Sequence, residues 1–154
     1  MKKTNNKGFS LVELIIVIAI MAILIGVLAP QYIKYVEKSR VSSDKDMIDS
    51  VTKAVQTACT DEDYYDGLAN GDTVELSKAN GIKTTQGESL KAAIDEFYGT
   101  TGGADANKKF KSKAFAGETI TITIVDQVNT VTGASTYSAQ VTDSNGIYDP
   151  ASYK

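Results

Sequence analysis

One acid stands where a chain built for lipid should have none. Glu13 lies in FSLVELIIVIAI, near the start of an apolar run that continues to Ala29. A charged group in hydrocarbon costs a few kcal/mol, less near the interface. Such a carboxylate needs a partner charge, so charge pairing is the chemistry this position offers. The usual catalytic sets are missing. His is absent, which excludes a His general base and a His-ligated metal. A single cysteine, Cys59, excludes an intrachain disulfide and a CxxC knuckle. It falls among Ala54, Val55 and Ala58 and reads as a small buried residue, with an intermolecular bridge or a reactive thiol as alternatives. Asp61, Glu62, Asp63 and Asp66 read as a solvated acidic loop rather than an acid/base pair. Residues 99–106, GTTGGADA, lack the Lys-Ser/Thr of a phosphate loop. Asp143, Asn145 and Asp149 are the weak candidates for a calcium loop, which gathers several oxygens. Their spacing is no recognised signature, and Asn145-Gly146 and Asp149-Pro150 are ordinary turn formers. No metal, cofactor or enzymatic activity is expected.

The elements around Glu13 follow from patterning. Residues 1–8 are polar and basic, with Lys2, Lys3 and Lys7. The whole chain carries a formal charge of −3, and without those three lysines 13 basic side chains face 19 acidic ones. No basic excess points to nucleic acid as a specific partner. Residues 9–29 are apolar except for Ser10, Glu13 and the neutral Gly26. As a helix they span roughly 31 Å, close to the ~30 Å of a bilayer core. The run is apolar all round, and the lysines before it place its N-terminal end in the cytoplasm. It exceeds a secretory signal core of about 7–15 residues and lacks a prompt small-residue cleavage site.

Beyond Pro30 the pattern turns amphipathic. Ile33 and Val36 open a stripe, Arg40 and Asp44 interrupt it, and Met47, Ile48, Val51, Val55 and Ala58 complete it. This predicts one helix from about residue 9 to 59, greasy in its first half and one-sided in its second. Pro30 and Gly26 mark a place to kink. Tyr32 and Tyr35 suit interface anchoring or packing between subunits. Residues 60–73 read as an acidic loop, 73–76 as a short strand, 89–98 as a helix with Leu90, Ala93, Ile94 and Phe97 on one face, and 99–106 as a Gly-rich turn. ETITITIV at 118–125 alternates strictly and predicts a strand, as does STYSAQVT at 135–142, joined by a hairpin loop. The expected class is α+β: a long N-terminal helix packed on a small antiparallel sheet. The expected divisions are a leader at 1–8, a transmembrane or filament-core helix at 9–30, an amphipathic half at 31–59, and a globular loop-and-sheet part at 60–154.

Gly8-Phe9-Ser10-Leu11-Val12-Glu13, with Lys7 before it and the apolar run to Pro30 after it, resembles the type IV pilin signal. The likeness is close over residues 1–40 and architectural beyond. It implies that a membrane prepilin peptidase cuts between Gly8 and Phe9 and that the Phe9 amine is N-methylated. It also implies a single-pass precursor in the cytoplasmic membrane that an assembly ATPase drives into a helical homo-oligomeric filament at the cell surface. Cleavage would then supply the missing charge. The Phe9 α-amine lies one helical turn from Glu13, and a neighbour's amine reaches it only at one axial stagger, which makes the pair a register device. The duller reading is that Glu13 complements its own helix N-terminus or reaches the headgroups. Gly8, lacking a Cβ, lets the peptidase approach the backbone. In the family a glycine eight residues before the proline permits local melting; here that position is Ala22, so any melted segment shifts toward Gly26–Pro30. Many members close a C-terminal disulfide loop, which one cysteine cannot do, and this fits the disulfide-poor pilins of Gram-positive bacteria. The alternatives are a pseudopilin of a type II secretion or DNA-uptake machine and, in other classes, a tethered binding domain or a small extracellular enzyme. Twitching motility, cell adhesion, biofilm formation and DNA capture are all open roles for such a filament.

Overall fold

The computed structural model describes residues 10–128, 130, 135–144, 146 and 148. Two compact units divide it, Met1–Glu37 and Lys38–Lys154. Helix α1, Leu11–Ala58, runs for 48 residues. Its first part is a run of Leu, Ile, Val, Ala and Met in which every large apolar side chain from Leu11 to Leu28 is at least 48% exposed. Among the described residues that surface is left exposed, and the helix is long and apolar enough to cross a membrane. Pro30 has no N–H to give Gly26 O, four residues earlier. The helix is nonetheless unbroken at Gly26 and Pro30.

The second unit is built on the expected stripe. Ile48, Val51, Ala54, Val55 and Ala58 of α1 are buried, with Met47 and Val41 packed at the edge. Their cover is a sheet of β1 (Thr73–Ser77), β2 (Gly81–Thr84), β3 (Ala104–Asp105), β4 (Thr119–Val128) and β5 (Ser135–Asp143). All neighbours are antiparallel, in the order β3-β2-β1-β4-β5. Register places apolar residues side by side: Leu76 faces Ile82 on one flank and Ile120 on the other, and Val74 faces Ile122. With side chains alternating along a strand, this fills one face. Ile120, Ile122 and Ile124 are fully buried, while Thr119, Thr121 and Thr123 take the other face. Two short helices complete the unit, α2 (Glu62–Tyr65) and α3 (Glu88–Tyr98), the latter burying Leu90, Ala93 and Ile94.

Three local expectations need correction. The acidic segment 60–73 is not all loop: Asp61 caps α2, its Oδ1 accepting from Asp63 N at 3.0 Å. The turn at 99–106 contains β3. Strand β2 was not foreseen, because four residues with one large apolar side chain show no period. Phe97 of α3 is 37% exposed and packs edge-on against Tyr64 with centroids 5.6 Å apart. Tyr64 also donates its hydroxyl to Glu96. That hydrogen bond, helped by burial and nearby acids, pushes the phenol up to about 12.

Asp44 is the buried exception on the helix stripe. It is 1% exposed, and its Oδ1 and Oδ2 accept the backbone N–H of Lys111 and Ser112, each at 2.8 Å. The charge that seemed to interrupt the apolar face instead anchors a segment 67 residues away. That segment carries Phe110 and Phe115, buried with ring centroids 4.9 Å apart.

The turn after α3 is held by Asp95, which accepts from Thr100 Oγ1 at 2.6 Å, Gly102 N at 2.7 Å and Gly103 N at 2.8 Å. Gly103 has φ +71°, and a Cβ there would lie 2.8 Å from Thr84 Oγ1. Burial opposes the Asp95 charge, but those three donors outweigh it and hold the carboxyl below its usual value. The folded value is lowered, so the stabilisation is whole above the unfolded value of about 3.9 and fades as pH falls through the folded one. Asp95→Asn should therefore lower the melting temperature at about pH 7, and the gap to wild type should shrink as the pH is taken down through the lowered folded value. A gap independent of pH in thermal unfolding would show that the charge does not matter.

Candidate functional site

The start of α1 explains how Glu13 is held. Ser10 occupies the position before the first helical residue, and Glu13 is the third residue of the helix. Ser10 N–H donates to Glu13 Oε2 at 2.9 Å, and Leu14 N–H donates to Ser10 O at 3.3 Å. An acid at that position satisfies a backbone donor the first turn leaves open and complements the helix dipole. The duller of the two expectations for Glu13 is thus realised within a single chain. It does not exhaust the carboxylate, because Oε1 and the remaining lone pairs of Oε2 can still accept. Gly8 and Phe9 lie outside the described residues.

The geometry brings a carboxylate to the N-terminal tip of an apolar, uncovered helix. Glu13 is exposed, as are the apolar residues around it. Tyr32 and Tyr35, 69% and 70% exposed, follow Pro30 at the other end of the apolar run. The arrangement can dock an apolar helix against lipid or another apolar helix, and offers one negative charge to a cation that arrives with it.

The other candidates fall away from chemistry. Cys59 is buried at 5% exposure, and burial pushes its thiol up, away from the reactive thiolate. Asp61 is used as a cap, and Glu62, Asp63 and Asp66 are exposed. Asp143 Oδ2 accepts from Tyr148 N at 2.6 Å. Asn145 and Asp149, its supposed calcium partners, lie outside the described residues. Among the described residues no group of three or more acids, Cys or His could hold a metal. Tyr148, 7% exposed, donates its hydroxyl to Asp49 Oδ1 at 2.5 Å and so ties the tail to α1.

Fold and site together define a class: an α+β protein whose long helix carries an apolar, uncovered N-terminal half with an acid at its tip. Comparison with known proteins agrees. Residues 3–29 match the prokaryotic N-terminal methylation motif. The chain is 39% identical over 109 residues to the type IV major fimbrial protein FimA of Dichelobacter nodosus, covering 68% of this chain and 70% of that one. It is 35% identical over 66 residues to the type IV major pilin protein PilA of Myxococcus xanthus. That match covers 43% of this chain and 30% of the Myxococcus protein, so there the likeness reaches less than a third of the relative. A prepilin peptidase-dependent protein A of Clostridium perfringens is 21% identical over 127 residues, covering 80% and 89% of the two chains. No solved structure matches. The chain belongs to the type IV pilins.

Proposed function

We propose that this protein is a structural, major-pilin-like subunit of an extracellular type IV pilus, matured by cleavage between Gly8 and Phe9 and N-methylation of Phe9. One observation carries the reading. The Glu13 carboxylate already sits 2.9 Å from Ser10 N, at the tip of a helix whose apolar surface is exposed among the described residues. The Phe9 amine created by cleavage adjoins that donor covalently. Glu13 can therefore receive an α-amine, its own or a neighbour's, on the oxygen the cap leaves open. Because the helix comes from lipid rather than water, close packing of the apolar helices of parallel copies replaces lipid contacts with van der Waals contacts between subunits. The charge pair supplies the register, because an unpaired buried charge is strongly penalised. The relative named for its dependence on prepilin peptidase supports the processing step. Before assembly the precursor rests in the cytoplasmic membrane on the same helix; afterwards it forms the filament core at the cell surface.

Mass spectrometry of the mature chain tests this. A terminus at Phe9 carrying one added methyl is expected, and a chain beginning at Met1, or after Ala29, would overturn it. Gly8→Val should leave uncut precursor in the membrane, because a Cβ crowds the backbone where the peptidase must approach. Efficient maturation of that variant would move the cut elsewhere.

A further inference from the structure

We propose that the lysine ridge at residues 109–113 docks on the acidic surface of a second copy of this chain, head to tail within the filament. The inference rests on the filament reading above. Residues 108–113 read KKFKSK, four lysines in six positions with no acid. Residues 38–154 carry 12 Lys and Arg against 17 Asp and Glu, and four of those 12 fall in this one stretch. Basic charge is therefore concentrated at one place on an otherwise acidic unit.

The stretch is a built surface. Lys109, Lys111 and Lys113 are exposed, with buried Phe110 and Ser112 between them, and Lys109 and Lys111 line one cleft. The backbone beneath them is fixed where Asp44 takes the N–H groups of Lys111 and Ser112. Lys108 is spent locally: its Nζ donates to Tyr98 O at 2.9 Å and lies 4.3 Å from the centroid of the Tyr98 ring. Ser43, Asp46, Met47 and Ser50 line that cleft, of about 360 Å³, with Lys108, Lys109 and Lys111. A ridge held in place loses little freedom when it binds, which favours a specific contact.

Charge decides the occupant. A free polyanion approaching this unit meets a net negative field, which slows encounter. Another copy brings its own acidic surface, and the filament holds it at high effective concentration. The complementary surface is Glu62, Asp63 and Asp66, all exposed, on and beside α2. Roughly 20–25 Å of α1 separates Asp44, which anchors the ridge, from α2. Among the parallel copies of a filament, opposite charges displaced along one helix pair head to tail, and such a contact repeats as an open helix.

The test uses the full chain in cells that assemble filaments. Lys109→Glu/Lys111→Glu should be matured and inserted normally, with an unchanged melting temperature, yet yield about tenfold fewer sheared filaments. Glu62→Lys/Asp66→Lys should do the same, and the four-site charge swap should restore assembly. In filaments, Lys111→Cys combined with Asp63→Cys should form a ladder of covalent oligomers on oxidation that neither single variant gives. Normal assembly of either charge-reversed variant, or a swap that fails to rescue, overturns the proposal. So does a ridge variant with intact filaments that have lost retention on immobilised DNA, which would assign the ridge to a polyanion. An unsubstituted chain that matures at Phe9 but never forms filaments sinks the filament reading itself; the other adverse outcomes sink only this one.

Discussion

Glu13→Val should be cut and methylated at Phe9 normally and remain in the membrane, while sheared filaments all but disappear. Valine is at home in the apolar run, so insertion improves slightly on translocon scales. What is lost is the partner of the Phe9 amine. Removing one member of a buried ion pair strands the other, at a cost of about 3–5 kcal/mol. At 1.4 kcal/mol per tenfold, the docking equilibrium falls by about two orders of magnitude or more. Glu13→Gln separates the two roles of this side chain. Glutamine keeps an oxygen for Ser10 N–H, which Glu13 accepts at 2.9 Å, but carries no charge. If register depends on charge, the glutamine variant fails with valine. If it assembles as wild type does, Glu13 acts only as a cap and the pairing with the α-amine is wrong. Counting filaments by electron microscopy beside the mass of the membrane-held subunit reads both outcomes.

Asp44→Ala should be the most damaging substitution in the second unit. It removes a carboxylate that is 1% exposed and leaves the N–H groups of Lys111 and Ser112 without their 2.8 Å partner. Hydrogen bonds to a charged acceptor contribute about 1.5–3 kcal/mol each, and buried donors left open add a penalty. A loss of about 3–5 kcal/mol follows, which for a unit of this size lowers the melting temperature by roughly 10–20 °C. Asp44→Asn should fall between, since one amide oxygen can serve one donor while the NH₂ confronts the other. Thermal unfolding of the detergent-solubilised chain, followed by circular dichroism, reads the series. A change under about 1 kcal/mol for alanine would mean that water takes over both donors.

What could be read in the residues was what they encode locally. The strict alternation of residues 118–125 gave β4, and the spacing of Ile48, Val51, Val55 and Ala58 gave the buried side of α1. Both are periods of the backbone itself. Ser10 and Glu13, three apart before an apolar run, likewise spell a helix start, although the hydrogen bond between them was not foreseen. Strands β2 and β3, four and two residues long, were beyond this kind of reading. They exist because β1 and β2 offer open edges for them to pair with, and no local pattern records that.

By itself, then, the sequence determined the membrane-length helix, the acid at its tip, the α+β class and the family signal, because each depends on neighbours in the chain or on the periodicity of one element. Only the tertiary structure decided why Asp44 belongs on an apolar face, that β1 lies at the centre of five strands, and that Lys109 and Lys111 stand exposed on a backbone fixed by Asp44. Those facts join residues dozens of positions apart. The free energy of a buried carboxylate or an unpaired strand edge depends on which distant backbone arrives to meet it, and a pattern confined to one segment contains no information about that arrival.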